Sequence, residues 1–272
     1  MAKIDLGPIG VALAPLDDSL LPSVAALEEQ GYPTVWITGG PLAGLEQVVA
    51  AVDATERIRV ATGILSVDRF DADAVTALYA DLEDRHPGRL VVGLGGAHGA
   101  RPLGTLGAYL DRLDAPGGVP EDRRVLAALG PRMLDLARDR SSGAFPVLVT
   151  PGYTRDARAR LGDGTTLAVE QMVLVEPDPA TARAQARERL GFLASLPQYQ
   201  ASFRRMGFAE DDIQNLGDPL IDGLVTWGDI DAVEAGVRAH LDAGADHVAI
   251  SVVGGATDPP VGEWRALAER LL

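Results

Sequence analysis

The chain has 272 residues, 47% of them hydrophobic and 23% charged, which is the composition of a globular protein long enough to bury a large core. Its net charge of −15 and its single lysine, Lys3, argue against nucleic acid or an anionic membrane as a partner, because phosphate contacts require clustered Lys and Arg. The absence of cysteine excludes disulfides, thiolate metal sites and cysteine nucleophiles.

No apolar run approaches the roughly 20 residues that a membrane helix needs. The first residues, MAKIDLGPIGVALAPLDD, contain one lysine and a strand-like run that ends in acids, which is not the pattern of a signal peptide. We therefore expect a cytoplasmic protein that acts on a small molecule.

Strand-like runs and segments with helical spacing alternate along the whole chain. The predicted strands are Ile9–Leu13, Thr34–Thr38, Ile58–Leu65, Leu90–Gly95, Arg124–Ala128, Pro146–Thr150, Leu167–Val175 and His247–Val253. The predicted helices are Leu20–Gln30, Leu42–Ala54, Ala72–Arg85, Leu103–Leu113, Pro131–Arg140, Thr154–Leu161, Pro179–Leu196, Ile230–Ala243 and Gly262–Leu271.

Strict alternation of strand and helix demands parallel strands with right-handed crossovers, and eight such strands close a (β/α)8 TIM barrel. A doubly wound open sheet is the alternative. We expect one domain over residues 1–272, with an extra helical segment at about 195–218. Asp178 is predicted to cap the helix that Pro179 begins.

The stretch Val125–Ala137 joins a strand directly to a helix. The strand breaks at Gly130, and Pro131 suits the first helical position because its missing N–H would have no helical partner. The first free N–H groups and the positive end of the helix dipole then point at whatever lies above the sheet, which suits a phosphate. An ordinary βα turn without a ligand is the alternative.

The reactive residues of a barrel stand at the carboxyl ends of its strands. Of the four histidines, only His98, just after the fourth predicted strand, lies there. His98 is therefore a candidate acid or base, or a residue that contacts a bound ring, with a solvated loop position as the alternative. Lys3 precedes the first strand, so a Schiff base has no candidate. No spacing of His and carboxylates predicts a metal site.

The ends of the third and sixth predicted strands hold further candidates. Gly63, among small residues, would let a flat ring approach the backbone, or would simply mark a bulge. Thr150 is placed to contact a ligand, and Thr154 is predicted to cap the next helix. Because acid and base side chains are scarce at the strand ends, a bound organic cofactor is the economical source of any activity.

The sequence resembles the luciferase-like monooxygenase and flavin or deazaflavin oxidoreductase superfamily, most closely its actinobacterial branch that uses coenzyme F-420. The likeness covers nearly the whole chain. It is clearest in VLAALGPRMLDLA, FPVLVTPGYT, LPQYQASFRRMGFAEDDI and LVTWGDIDAVEAGVRAHLDAGADHVAI, and residues 36–120 match only in outline. The resemblance implies a (β/α)8 barrel, in agreement with the strand count.

The resemblance also implies roles for particular residues. It places a non-proline cis peptide bond at Gly63–Ile64, under the ring of the cofactor. The position of His98 commonly holds an acidic or polar residue near that ring. The backbone that would hold the cofactor phosphate is that of Ala127, Ala128, Leu129, Gly130 and Pro131.

The implied activity is hydride transfer between coenzyme F-420 and an organic substrate bound over the ring. His98 would donate a proton, Tyr153 or Trp36 would line the pocket, and Arg101 and Arg132 would meet an anionic tail. The alternatives are an FMN-dependent two-component monooxygenase, a catalytically silent barrel that acts as a binding or partner subunit, and a phosphate-binding lyase or isomerase.

Two predicted loops depart from the family pattern. The second strand runs almost directly into a helix, and the loop after the fourth strand, from Gly96 to Leu103, is short. Short loops would open the pocket to bulkier substrates or abolish cofactor binding. Relatives commonly form homodimers through helices near the second and third βα units, so the resemblance implies a homodimer here.

Overall fold

The computed structural model describes residues 3–14, 17–254 and 259–272. In these ranges the strands are β1 Ile9–Leu13, β2 Thr34–Ile37, β3 Arg59–Thr62, β4 Leu65–Ser66, β5 Leu90–Gly95, β6 Arg124–Leu126, β7 Gly143–Ala144, β8 Thr166–Val175, β9 Val225–Gly228 and β10 His247–Val252.

The α-helices follow the strands along the chain. They are α1 Leu20–Glu29, α2 Glu46–Asp53, α3 Ala72–Arg85, α4 Pro102–Leu113, α5 Pro131–Arg140, α6 Pro151–Leu161, α7 Pro179–Ala194, α8 Pro197–Arg205, α9 Glu210–Asn215, α10 Asp218–Leu224, α11 Ile230–Asp242 and α12 Val261–Leu271. No helix in the ranges 3–14, 17–254 and 259–272 is long and apolar enough to cross a membrane.

Parallel pairings close the strands into a barrel. The order around it is β1, β2, β3, β5, β6, β7, β8 and β10, and β10 returns to β1 through the register Gly10 to Ala249. The short β4 continues the strand position of β3, since both pair with β5. The predicted (β/α)8 TIM barrel is therefore confirmed, with eight strand positions and helices between them.

An aromatic pair fills the lower part of the barrel lumen. The rings of Trp36 and Phe145 stack with centroids 3.9 Å apart and planes inclined by 1°. Trp36 Nε1 donates to His247 Nε2 over 2.9 Å, and His247 Nδ1 donates to the Gly7 carbonyl over 2.7 Å. Small residues from four other strands leave room for these rings, namely Ala12, Ala61, Ala168 and Ala249. We call Trp36 and Phe145 the aromatic floor.

The helices pack their apolar faces on the outside of the barrel. In α3, for example, Val75, Leu78 and Leu82 are buried at helical spacing. Side-chain caps fix several helix starts, and the predicted cap at Asp178 is confirmed, since its carboxylate accepts from Thr181 N over 2.9 Å. Helices α8 and α9 lie within the predicted extra segment at about 195–218, and together with α10 they form a second apolar cluster with the end of β8.

The sixth predicted strand, Pro146–Thr150, is wrong in position. β7 occupies this place in the barrel, and beyond it Val147 forms an isolated bridge to Glu170. Pro146 has no N–H to donate to a ladder, and Leu148 has a φ of 53°, in the left-handed region that interrupts a strand. The strand therefore pairs earlier, at the small residues Gly143 and Ala144, before Phe145 and the proline.

Other elements also differ from the prediction, chiefly at three places. Helix α2 begins at Glu46, so the loop after β2 spans residues 38–45 and is longer than expected. The third predicted strand is divided into β3 and β4 at Gly63 and Ile64. β9 was not predicted; it pairs with the last four residues of β8 and lies outside the ring of barrel strands.

Candidate functional site

The carboxyl ends of the strands surround a mouth above the aromatic floor. At the end of β3, Gly63 and Ile64 are joined by a cis peptide bond, as the resemblance implied. Both residues are partly exposed. The side chain of Ile64 lies along β5, where a Cβ on Gly95 would come within 3.1 Å of Ile64 Cδ1. Trp36, expected to line a pocket, has no exposed surface and belongs to the core instead.

The loop after β2 approaches this bond closely. Gly39 N donates to the Gly63 carbonyl over 3.4 Å, and Gly63 N donates to the Ile37 carbonyl over 2.8 Å. A Cβ on Gly39 would overlap the carbonyl oxygen of Ile64. Only glycine therefore fits at position 39 with the loop in this place.

The turn after β6 is held from two sides. Ala127 N donates to the Leu94 carbonyl over 2.9 Å, and the Tyr153 hydroxyl donates to the Ala128 carbonyl over 2.8 Å. Burial raises the pKa of Tyr153, so its hydroxyl stays a donor at neutral pH. Gly130 caps α5 and Pro131 begins it, as predicted. The start of α5 is thus fixed at the carboxyl end of the barrel.

Arg205, at the end of α8, reaches this turn from the extra segment. Its Nη2 donates to the Leu129 carbonyl over 3.2 Å, and its side chain is exposed. Sequence reasoning missed this residue because it is 76 positions away from Leu129 along the chain. The predicted cations Arg101 and Arg132 are also exposed, at the N-cap of α4 and in the first turn of α5.

Thr150 has a structural role as the N-cap of α6. Its hydroxyl oxygen accepts from Tyr153 N over 3.1 Å and so caps α6, and Met206 of the extra segment lies against the same hydroxyl. The predicted cap at Thr154 is wrong, because Thr154 lies inside α6 and its hydroxyl bonds Nδ1 of His240 over 2.8 Å. A role for Thr150 in cofactor binding stays a prediction.

His98 lies on an exposed rim. Its side chain is 63% exposed, and its Nδ1 lies 3.0 Å from a carboxylate oxygen of Asp68. The same oxygen accepts from the backbone N of His98 over 2.9 Å. These two hydrogen bonds lower the pKa of Asp68, the backbone one most. The structure thus joins the loops after β4 and β5 through His98, and its proton-donor role stays a prediction.

Glu170 is a candidate that sequence reasoning missed. It is the only Asp or Glu within the ten described strands. Ala168, two residues before it on β8, packs in the lumen around the aromatic floor, and alternation along a strand places Glu170 on the same inward face, one level nearer the mouth. Its strand neighbours at that level are Ala249 and Val147.

Groups from three other elements act electrostatically with the Glu170 carboxyl. The Ser251 hydroxyl of β10 hydrogen-bonds to it, and the charge of Arg189 on α7 acts on it. Burial raises the pKa of Glu170 to about 7, although Arg189 and Ser251 act in the opposite direction. Burial and then the charge of Glu170 raise the pKa of Tyr199 on α8 to about 12. We call Glu170, Arg189, Tyr199 and Ser251 the lumen cluster.

A surface cleft lies beside Arg189, one residue of the lumen cluster. It has a volume of about 430 Å³ and lies between α7 and the end of β10, with Gln185, Glu188, Arg189, Val253 and Gly254 as its lining. Arg189 belongs to both the cleft and the cluster. Glu170 itself remains partly exposed. The cleft therefore lies on the side of β8 and β10, about opposite the β3 and β5 side where Ile64 lies.

No protein-family profile matches the chain, and no curated protein matches it by sequence. Solved structures do match it over nearly its full length. The coenzyme F-420-dependent tetrahydromethanopterin reductase from Methanopyrus kandleri has a TM-score of 0.75 at 15% identity, covering 99% of this chain and 98% of that one.

Two further structures extend the comparison. An F-420-dependent secondary alcohol dehydrogenase, solved with an F-420–acetone adduct, has a TM-score of 0.72 at 15% identity, covering 98% and 99% of the two chains. The oxygenating constituent of 3,6-diketocamphane monooxygenase from Pseudomonas putida, in complex with FMN, has a TM-score of 0.71 at 12% identity, covering 97% of each. The chain therefore has the barrel fold that these F-420-dependent and FMN-containing proteins share.

Proposed function

We propose that the protein is an oxidoreductase that binds a deazaflavin or flavin coenzyme at the carboxyl end of its barrel, with coenzyme F-420 as the preferred one. The observation that carries this proposal is the turn from Ala127 to Pro131, which presents the start of α5 at the mouth beside Arg205. Pro131 has no N–H and Met133 N donates to the Gly130 carbonyl, so the first-turn N–H left for a ligand is that of Arg132. With the positive end of the helix dipole and a guanidinium beside it, this N–H attracts an anionic group.

The residues at the mouth are suited to bind the anionic end of such a coenzyme. The backbone of the Ala127–Pro131 turn would hold the phosphate, and Arg205, with Arg101 and Arg132 at the same end of the barrel, would supply positive charge. Gly63 and Ile64 are partly exposed at the predicted ring position. The coenzyme, when bound, supplies the capacity to accept or donate hydride, which no side chain has.

The chain's own residues would orient the coenzyme and substrate and exchange a proton. The apolar side chains of Val147 and Met172 line the lumen, and the aromatic floor lies beneath it. These apolar groups would keep water out of the lower part of the lumen. The similarity to F-420-dependent enzymes and to a protein in complex with FMN supports an oxidoreductase function. FMN is therefore the second candidate coenzyme.

A direct titration tests the proposal. Purified protein is mixed with coenzyme F-420 and, separately, with FMN, and binding is followed by absorbance and fluorescence. We expect saturable binding of F-420 with a lower Kd than FMN. Tighter binding of FMN would favour a two-component monooxygenase instead. Binding of neither coenzyme would contradict the proposal and favour a catalytically silent barrel.

A further inference from the structure

Several arginines at the carboxyl end of the barrel lack an ion-pair partner, although the chain has a net charge of −15. Most arginines of the chain pair with carboxylates, as Arg140 does with Asp111 over 2.8 Å. Among the described residues, the arginines at the mouth that have no carboxylate within 4.0 Å include Arg69, Arg101, Arg132 and Arg205. Unpaired positive groups on an acidic protein mark a surface that attracts anions.

Arg69 differs from the other three in its position around the barrel. It follows β4, and its Nη2 donates to the Ala43 carbonyl, in the loop after β2, over 3.1 Å. The strand order β2, β3, β5, β6 puts this contact on one side of the Gly63–Ile64 bond and the Ala127–Pro131 turn on the other. An anionic group bound at that turn is therefore on the far side of the predicted ring position from Arg69.

The guanidinium of Arg69 is held in place by the protein itself. It lies over the ring of Phe70, 5.0 Å from the centroid, and the Phe70 carbonyl accepts from the Tyr109 hydroxyl over 3.1 Å. Ala43 is fixed in turn by Gln47, whose Oε1 accepts from Ala43 N over 2.7 Å. Within the described ranges the bond to Ala43 is the one hydrogen bond of this guanidinium, which leaves four of its five N–H groups for a ligand.

The acids near Arg69 along the chain have other partners. Asp68 points toward the loop after β5, where its carboxylate accepts from His98 N over 2.9 Å and lies 3.0 Å from His98 Nδ1. Asp71 caps α3, and Glu46, in the first turn of α2, makes no ion pair with Arg69 in the described part of the chain. The positive charge of Arg69 is therefore left uncompensated at the rim of the mouth.

We propose that the substrate of this protein is an organic acid whose carboxylate binds Arg69 while its reacting part lies over the Gly63–Ile64 bond. The inference rests on the oxidoreductase function proposed above and names the substrate class of that site. The planar guanidinium matches a carboxylate in shape, and its single charge neutralises a single carboxylate, whereas a phosphate would bring almost two charges.

The loop after β2 connects the two places that the substrate would contact. At one end Gly39 N donates to the Gly63 carbonyl, and at the other end the Ala43 carbonyl accepts from Arg69. Gly39 and Ala43 are four residues apart, so their Cα atoms are at most about 14 Å apart. The carboxylate and the reacting atom are therefore expected at opposite ends of a molecule that spans no more than this length.

The test uses the whole protein without coenzyme and two matched probes. Cyclohexanecarboxylate carries the anionic group, and cyclohexanecarboxamide has nearly the same shape without the charge. NMR shift titration at neutral pH and fixed ionic strength measures the Kd of both probes with wild type, Arg69→Gln, Arg69→Lys, Arg205→Ala and Arg57→Gln. Arg57 is exposed and lies before β3, at the other end of the barrel, so Arg57→Gln is the matched control.

We expect wild type and Arg57→Gln to bind the carboxylate about tenfold more tightly than the amide, because charge-assisted hydrogen bonds are stronger than neutral ones. Arg69→Gln should raise the Kd of the carboxylate about tenfold and leave that of the amide within about twofold, which removes the preference. Arg69→Lys keeps the charge without the planar fork and should retain part of the preference. Arg205→Ala should retain all of it.

Three outcomes overturn the inference. The first is an equal Kd for the two probes in wild type. The second is a preference that survives in Arg69→Gln or that Arg205→Ala removes, since the carboxylate would then bind elsewhere or at the α5 turn. The third is a rise of more than about threefold in the Kd of coenzyme F-420 in Arg69→Gln, which would assign Arg69 to the coenzyme.

The probe titrations contain no coenzyme, so a wrong substrate class and a wrong coenzyme are distinguished. If neither F-420 nor FMN binds, the proposed oxidoreductase function is contradicted, while the measured preference for the carboxylate at Arg69 stands. If the coenzyme binds and the two probes do not differ, the oxidoreductase function stands and the organic-acid substrate is wrong.

Discussion

Arg205 links the extra segment to the barrel mouth through one side chain. Its guanidinium donates to the Leu129 carbonyl, next to the amides that open α5. Its neighbour Arg204 points elsewhere and pairs with Glu210 over 2.6 Å. Two adjacent arginines on one helix thus differ in their partners, which provides a matched pair for testing whether positive charge at the turn matters.

We predict that Arg205→Ala raises the Kd of coenzyme F-420 about tenfold, because a charge-assisted contact contributes roughly 1.5 kcal/mol. Arg204→Ala serves as the control and should change the Kd by less than about twofold. Fluorescence titration at fixed ionic strength measures both. Equal effects of the two substitutions would show that only the general charge of α8 acts on binding, and would remove Arg205 from the site.

At the scale of elements, two buried histidines form hydrogen bonds that join neighbouring helices and strands. His240 of α11 bonds Thr154 of α6 through Nδ1 and Gln171 of β8 through Nε2 over 2.6 Å. His247 of β10 bonds Trp36 of β2. Burial lowers the pKa of both histidines to about 4, with no charged partner to offset it for His240. Both residues therefore hold elements together in the neutral form.

The free energy of unfolding should therefore fall in acid. A histidine with a pKa of about 4 when folded and about 6.5 when unfolded stabilises the protein above pH 6.5, and this stabilisation is lost as the pH falls toward 4. Between pH 7 and pH 5 the loss is about 2 kcal/mol for each such residue. Urea unfolding at the two pH values measures it.

His240→Gln provides the comparison for this prediction. The variant is less stable at pH 7 but lacks the titrating group, so its stability should fall by about 2 kcal/mol less than that of wild type between pH 7 and pH 5. An identical fall in both proteins would mean that other groups cause the acid sensitivity. Circular dichroism at pH 7 confirms that the variant is folded before the comparison is made.

At the scale of the whole molecule, ligand binding at the mouth is coupled to the free energy of unfolding of the barrel. The strand ring is closed by the pairing of β1 with β10 and of β10 with β8, so the residues that would hold the coenzyme, which follow β3, β6 and β7, belong to one cooperative unit. A ligand that binds only the folded barrel raises the free energy of unfolding by mass action. The mouth can thus be probed through global unfolding.

We predict that coenzyme F-420 at 100 times its Kd raises the free energy of unfolding by about 2.7 kcal/mol, with a corresponding rise in Tm. Thermal scans with increasing F-420 measure this, and Arg205→Ala should need about tenfold more coenzyme for the same rise. A Tm that stays constant while the titration shows saturation would place the bound coenzyme on an unfolded or misfolded fraction, against the proposal.

Much of the architecture could be predicted from local patterns. The alternation of strands and helices predicted the barrel, Pro131 and Asp178 marked helix starts, and the bounds of α3 and α5 agree with their predictions. These features depend on residues close together in sequence, such as a cap and the amide three positions later. The sixth strand failed because Leu148 takes a left-handed conformation, which leucine's own preferences do not indicate.

The sequence by itself determined the fold class and the helix start after β6, and its resemblance to a known family implied the cis peptide bond at Gly63–Ile64. Only the tertiary structure decided that Trp36 is buried against Phe145, that Arg205 reaches Leu129 and that Glu170 faces the lumen. The reason is that these contacts join distant parts of the chain, and barrel closure brings them together.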